Sequence, residues 1–323
     1  MEVYEILKRE IRAAQTLQLK PFIPDNMMEH MLKGIDAWIF RNEPMKNHTT
    51  FKVGGPADIF VMPGNTSGLL LVLQICHENN LPYFVIGNGS NLLVRDGGIR
   101  GVVISLKSLT KIRLADDNRI YAQAGVMMPD LSKTALEYGL AGLEFAEGIP
   151  GSIGGGVAMN AGAYGGEIKD IFCKAKVIDK NLQLIEIDLE FMDFGYRKSV
   201  VQEQGYIVCG VTMQLAPGDK VEIAAKMADF RGRRQEKQPL EKPSAGSTFK
   251  RPPGHFAGKL IMDAGLQGFS IGGAQVSEKH CGFVINKGDA TAADILELIQ
   301  HVQHTVKDKF GVMLETEVKV LGE

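Results

Sequence analysis

The sequence lacks most of the features that announce a simple protein class. It has four cysteines, Cys76, Cys173, Cys209 and Cys281, none close to another. That spacing excludes a zinc knuckle or a small disulfide framework and suits a reducing compartment. There is no HExxH and no histidine–carboxylate cluster of ligand spacing, so no metal site is expected. Lysine and arginine total 36 against 38 acidic residues, a formal net charge of −2. Without a basic surplus, no nucleic-acid partner is expected. The longest apolar run, GLLLVLQIC, is too short to span a bilayer, so no membrane segment is expected. The stretch MEVYEILKREIRAAQ is charged and lacks an apolar h-region, which points to the cytoplasm.

Glycine is what the chain has in excess: 37 in 323 residues, about 11% against an average near 7%. Eight of the nineteen residues in GIPGSIGGGVAMNAGAYGG, 148–166, are glycine. A flexible linker would mix glycine with serine and charge. Here Ile149, Ile153, Val157, Ala158, Met159 and Ala161 are interleaved, so a packed segment inside a domain is expected. A bulky ligand approaching bare backbone is one reason for such a segment, and a run of tight turns is another.

Around it the pattern is intermixed α and β. Helical spacing runs through residues 1–40 and again over TSGLLLVLQICHENN, PDLSKTALEYGL, residues 219–237 and TAADILELIQHVQHTVKDKF. Strands are expected at DIFVMP, YFVIG, GVVISL, KIRL, RIYAQAG, KAKVID, QLIEID, YIVCGVTMQL and MLETEVKVL, with a hairpin turn at Asp116–Asp117–Asn118. Domain boundaries are expected near 46 and 218: an N-terminal helical segment 1–45, a domain 46–218 and a C-terminal domain 219–323.

Several motifs bear chemistry. VIGNGSNLLVRDGG, 85–98, follows a strand, as a phosphate loop does. Leu92 stands where a Rossmann fingerprint needs its third glycine, and no GK[ST] follows. What remains is a turn rich in amide donors, which serves equally as an ordinary turn or as a cradle for a pyrophosphate. GYRKS places Arg197 in a strand-like region, either on the surface or holding a carboxylate. KPSAGSTFKRPPG holds Ser247 between Gly246 and Thr248, with Lys250 and Arg251 nearby; no G-x-S-x-G elbow surrounds it. In LETEV, Glu315 and Glu317 share one face, which by pattern is solvated. His301 and His304 are expected to be solvated on a charged helix.

HTTFKVGGPAD, IGNGSNLLVRD, GIPGSIGGGVAMNAGAYGGEI, GYRKS, PSAGSTFKRP, AGLQGFSIGGAQVSEKH, FVIN and LETEV, in this order, closely resemble the UDP-N-acetylenolpyruvoylglucosamine reductase family from about Asn47 to Val320. The resemblance implies an α+β fold: a two-subdomain FAD-binding domain of the vanillyl-alcohol oxidase (PCMH-type) superfamily and a C-terminal α+β substrate domain. It implies non-covalent FAD, reduced by NADPH, and conversion of UDP-N-acetylglucosamine enolpyruvate to UDP-N-acetylmuramate for peptidoglycan. Hydride passes from the flavin N5 to C3 and a proton to C2. The resemblance places Arg197, Ser247 and Glu317 in the catalytic roles, Ser247 as proton donor and the other two stabilising developing charge. It assigns FAD contacts to Gly87, Asn88, Gly89, Ser90, Asn91, Gly125, Gly148, Ile149, Pro150, Gly151, Gly154, Gly155, Ala158 and Asn160, and substrate contacts to Lys250, Arg251 and Gln275.

Fifty residues separate Arg197 from Ser247, and seventy separate Ser247 from Glu317. These short spacings imply the branch without an inserted tyrosine-bearing loop. Cys281–Gly282 and Arg251 depart from the usual family residues at positions expected to touch nucleotide. The oligomeric state is left open, a monomer included. A related flavin oxidase and a non-catalytic flavin module are the rival readings; the C-terminal motifs speak against the first, and Arg197, Ser247 and Glu317 would have no joint purpose in the second.

Overall fold

Ala37 opens a strand, Ala37–Pro44, where the N-terminal periodicity suggested helix up to residue 45. Ala37 and Ile39 are buried with less buried neighbours between them, the two-residue alternation of a half-covered strand. The computed structural model describes residues 37–323, so the periodic apolar positions between Val3 and Ile35 lie outside it.

The described chain divides into two units that do not follow the linear division at 46 and 218. One comprises residues 37–41, Ile59–Asn88 and Gly101–Gly232; the other comprises Asn42–Asp58, Gly89–Arg100 and Arg233–Glu323. Each has its own apolar core.

In the first unit, helix Thr66–Glu78 begins at Asn65, whose side chain accepts from the Gly68 N–H at 2.9 Å. It buries Leu69, Val72, Leu73, Ile75 and Cys76. Strand Tyr83–Ile86 runs parallel to Ile99–Ser105, a pairing that needs a crossover, and the chain over 87–98 makes it. An antiparallel five-stranded sheet follows, in the order Leu184–Asp188, Phe172–Ile178, Ile207–Gln214, Arg119–Gln123, Ile112–Ala115. Its last two strands form the expected hairpin, with Asp117 at φ 58° and Asn118 at φ 59°. A turn with both central residues left-handed matches strand twist, and Asp and Asn tolerate that region. The glycine-rich segment is ordered: Ile153–Ala158 is a short helix with Ile153 and Val157 in the core.

The second unit gathers distant chain. Strand Leu92–Val94 pairs in parallel with the C-terminal strand Lys319–Leu321. Helix Ala292–Phe310 starts with a capping box between Thr291 and Asp294. The Asp96 carboxylate accepts from the N–H groups of Ala292 and Ala293 at that same end, 2.9 Å each. Phe51, Val53 and Leu93 enter the core with Leu260, Ile261, Leu298 and Val302. These contacts draw segments expected in the middle domain into the C-terminal unit. Strands Ser270–Ile271, Ala274–Val276 and Val284–Asn286 form a small antiparallel sheet. MLETEVKVL is a strand only over Lys319–Leu321; Leu314 to Val318 lies outside any strand and makes a single bridge, Phe249 to Thr316.

Among the described residues no helix is long and apolar enough to cross a membrane. All four cysteines are free. Burial pushes the Cys76 and Cys209 thiols up to about 12, so neither is a reactive thiolate at neutral pH.

Candidate active site

The glycines of residues 148–166 are bare for two different reasons. Gly154 and Gly156 face inward: a Cβ on the first would meet the Ala124 Cβ at 2.8 Å, and on the second the Met128 sulfur at 2.9 Å. Gly125 is filled by backbone, since a Cβ there would lie 2.1 Å from the Leu106 carbonyl oxygen. These three let the protein pack on itself. Gly155 faces out. It is exposed, and the one atom near its would-be Cβ is the Ser152 Oγ at 3.7 Å. Gly87, from the other glycine loop, sits over the same hydroxyl, 2.3 Å from a would-be Cβ.

Ser152 is buried, and its hydroxyl has no hydrogen-bond partner among the described residues. Buried hydroxyls are normally satisfied, so one lying under two bare glycines suits a polar group on a ligand laid against them. This arrangement fits FAD. Ser152 stood inside the quoted motif, yet only its unmet bond singles it out. Not every amide of the segment is free for the cofactor: Ile153 N–H donates to the Val126 carbonyl at 2.8 Å and Gly154 N–H to that of Ala124 at 2.9 Å. Met128 N–H occupies the Gly151 carbonyl at 2.9 Å. Asn88 donates its amide to the Pro150 carbonyl at 2.6 Å, tying the two loops together. Gly148 takes a φ of 78° beside Ile149, which packs against the core.

Asn160 is a linchpin rather than a free donor. Buried, at φ 43°, it donates to Glu167 Oε2 at 2.9 Å and to the Gly195 carbonyl at 3.1 Å, and accepts from Lys169 N–H at 3.0 Å. The Ala158 carbonyl accepts from Ser199 Oγ at 2.7 Å. These bonds hold the segment that carries Arg197. That segment is a tight turn and not a strand: Gly195 and Lys198 exchange backbone hydrogen bonds of 3.1 and 3.2 Å, and Arg197 takes a φ of 56° at its tip. The guanidinium carbon stands 5.1 Å from the centre of the Tyr196 ring.

The second unit holds the remaining motif residues. Gly89, at φ 68°, lies against the His48 carbonyl, 2.0 Å from a would-be Cβ, and accepts at its own carbonyl from Thr50 N–H at 3.3 Å. The Thr50 hydroxyl is a second buried donor without a partner among the described residues. Ser90 is half-buried between them and Asn91, whose amide donates to the Glu317 carbonyl at 3.1 Å.

Residues 248–250 run antiparallel to 315–317, with Glu317 N–H on the Thr248 carbonyl and Lys250 N–H on the Glu315 carbonyl, both at 2.8 Å. This brings the Ser247 segment, Lys250 and Glu317 together. Ser247 is exposed, after Gly246 at φ 74° and before a fully buried Thr248. Thr248 is anchored by its N–H to the Gly282 carbonyl at 2.8 Å and by its Oγ1, which accepts from Val284 N–H at 3.0 Å. Gly282 N–H in turn donates to His280 Nδ1 at 3.1 Å. Burial holds the His280 imidazole below its ordinary pKa. The Cys281–Gly282 departure thus sits behind Ser247.

Lys250 is ion-paired to Glu315. The Arg251 guanidinium lies over the Phe256 ring at 4.0 Å. Gln275 spends its amide on the Gly268 carbonyl at 3.0 Å. His301, expected in solvent, stacks on Phe269 with centroids 4.5 Å apart. Among the described residues no group of three histidine, cysteine or carboxylate side chains is placed to hold a metal ion.

Residues 57–188 match the FAD binding domain family, and residues 238–321 match the C-terminal domain of UDP-N-acetylenolpyruvoylglucosamine reductase. The chain is 56% identical over 281 residues to UDP-N-acetylenolpyruvoylglucosamine reductase of Clostridium perfringens strain SM101, covering 87% of this chain and 92% of that one. It is 55% identical over 285 residues to the enzyme of Clostridium novyi, covering 88% and 92%. The crystal structure of the Thermus caldophilus reductase superposes with a TM-score of 0.76 at 35% identity, covering 89% of this chain and all of that one. The chain belongs to the UDP-N-acetylenolpyruvoylglucosamine reductase family.

Proposed function

We propose that this chain is the FAD-dependent reductase that turns UDP-N-acetylglucosamine enolpyruvate into UDP-N-acetylmuramate, a peptidoglycan precursor, at the expense of NADPH. The observation that carries the reading is the pairing of 248–250 with 315–317, which sets an exposed hydroxyl and a carboxylate on adjoining chain within one unit. FAD, when bound, carries hydride from NADPH to C3 of the enolpyruvyl group. Everything else falls to the protein. Ser152 and the exposed face at Gly155 receive the cofactor where no side chain obstructs it. Arg197, presented at the tip of its turn, meets the substrate carboxylate, into which the charge at C2 spreads. Glu317 helps set the field around that charge, and Ser247 delivers the proton to C2. A serine hydroxyl is a weak acid, so the anionic carbon beside it supplies the driving force.

Lys250 and Arg251 face the diphosphate in this reading, with Glu315 and Phe256 as their partners in its absence. Gln275, whose amide donates to the Gly268 carbonyl, is the third substrate contact in this reading. The reaction belongs in the cytoplasm, where NADPH and the nucleotide sugar are found. Purified, FAD-loaded protein should oxidise NADPH only when the enolpyruvyl substrate is added, at one NADPH per product. Oxidation at the same rate with O₂ alone would instead make it an oxidase.

A further inference from the structure

The five-stranded sheet of the first unit has one face in the core and one face bare. On the core side lie Ile120, Ala122, Ala175, Val177, Val211 and Met213. The bare side forms a cavity of about 450 Å³. Its register is fixed by the pairings Lys176 with Gly210, Gly210 with Gln123, Thr212 with Tyr121 and Tyr121 with Arg113. Lys174 and Lys176 rise from one strand, Lys111 and Arg113 from the end of the sheet three strands away. At the ordinary strand spacing these two cationic walls stand about 14 Å apart.

The floor between them is low because of one residue pair. Gly210 has no side chain, and the Tyr121 ring lies down over it: a Cβ on Gly210 would meet the Tyr121 hydroxyl oxygen at 2.3 Å and Cζ at 2.6 Å. The tyrosine therefore covers Gly210 and forms the floor between the two walls. Lys174 is neutralised by Glu186 at 2.8 Å. The side chains of Lys111, Arg113 and Lys176 have no acidic partner among the described residues. In a chain of net charge −2, this is a local concentration of positive charge. Three unpaired cations around a flat aromatic floor, with Gln123 and Thr212 offering polar groups beside it, match a small ligand with a ring at one end and phosphates at the other.

We propose that this face is a second binding site, separate from the catalytic residues, for a nucleoside phosphate. Its base stacks on Tyr121 and its phosphates lie between Lys176 and the Lys111–Arg113 wall. The volume suits one nucleotide. None of these residues belongs to the catalytic or cofactor machinery, so the proposal stands or falls independently of the reductase reading.

The test is calorimetric titration of ATP, and of tripolyphosphate in parallel, into the FAD-loaded full chain with the catalytic site occupied by excess UDP-N-acetylmuramate. One ATP per chain should still bind. Arg113→Glu and Lys176→Glu should each weaken it about ten- to a hundredfold, the loss expected for a charge-assisted contact. Tyr121→Ala should weaken ATP but not tripolyphosphate, and Tyr121→Phe should leave both unchanged. The flavin spectrum and NADPH oxidation of every variant should match the parent, which shows that each is folded. Absence of residual ATP binding, or binding indifferent to Arg113→Glu and Lys176→Glu, overturns the site. Equal binding of ATP and tripolyphosphate, with Tyr121→Ala affecting neither, overturns its assignment to a nucleoside.

Discussion

The candidate cofactor residues of the first unit are marked by what is missing, and the candidate chemical residues of the second by what is present. Gly155 exposes backbone beside a buried hydroxyl, Ser152, for which Gly87 leaves room, while Ser247, Lys250, Glu315 and Glu317 crowd four reactive or charged side chains onto two paired segments. Bareness suits a large, flat cofactor, which gains contact area wherever a side chain is absent. Charge and hydroxyls suit a substrate on which charge must develop and a proton must arrive. Arg197 is the exception: a charged residue in the first unit, set at the tip of a turn that Asn160 and Ser199 hold fast.

The largest expected effect separates these two kinds of region. Ser247→Ala should leave NADPH reduction of the bound FAD at its parent rate. Reoxidation by the enolpyruvyl substrate should slow by about 10²–10⁴-fold, the usual contribution of general acid catalysis. Stopped-flow measurement of each half-reaction reads both. Equal slowing of the two halves would mean that the boundary between a cofactor region and a chemistry region is misplaced.

Asn160→Ala comes next, because it strips three hydrogen bonds from a buried, left-handed position. Leaving buried partners unmet costs about 1–3 kcal/mol each, partly recovered by relaxation, so a loss of about 2–4 kcal/mol in urea unfolding is expected. The substrate KM should rise with it, since the Arg197 turn loses an anchor. Ser199→Ala, which removes one bond, should do the same on a smaller scale. Unchanged KM in a destabilised Asn160→Ala protein would show that the turn holds Arg197 without this help.

The two neighbouring glycines give the sharpest internal control. Gly154→Ala must push into Ala124, so a stability loss of about 1–3 kcal/mol with FAD affinity less affected is expected. Gly155→Ala meets open space in the apo chain and replaces a helical glycine, so the apo protein should gain up to about 1 kcal/mol. FAD should bind it more weakly. Thermal melts with and without added FAD distinguish the two, and identical behaviour would dissolve the distinction between inward and outward glycines.

From the sequence, these two glycines look alike. Side-chain absence is visible there, but what fills the absence is a matter of tertiary contact. Local features were legible: the Asp117–Asn118 hairpin and the apolar stripes of helices Thr66–Glu78 and Ala292–Phe310 follow from nearest neighbours. GYRKS looked strand-like because nothing in an arginine announces a φ of 56°. LETEV alternates as a strand does, yet forms one bridge, because its partner segment is short and irregular around Gly246. The weave of the units depends on Asp96 reaching a helix end 196 residues later, a long-range contact with no local signature. The family motifs led to Ser247 and Glu317, but Ser152 and Thr50 emerged only when their hydroxyls proved unmet.

The smallest effect concerns pH and the second unit. His280 is held below its ordinary pKa by burial, and its Nδ1 accepts from the Gly282 N–H. A folded-state pKa below the unfolded one means that the unfolded chain takes up the proton first as pH falls. The stabilisation is therefore present above the unfolded histidine value of about 6.5 and is lost below it. Protonation would also set an N–H against the Gly282 N–H and end that hydrogen bond, a loss of about 0.5–1.5 kcal/mol. Because the Gly282 carbonyl anchors Thr248 at 2.8 Å, the loosening reaches the residue beside Ser247. Melting temperature should fall between pH 7.5 and pH 5.5 by more in the parent than in His280→Asn, which cannot titrate. The substrate half-reaction should weaken over the same interval while flavin reduction by NADPH does not follow it. A pH profile identical in parent and His280→Asn would remove His280 from the support of Ser247 and leave the acid sensitivity to the exposed carboxylates.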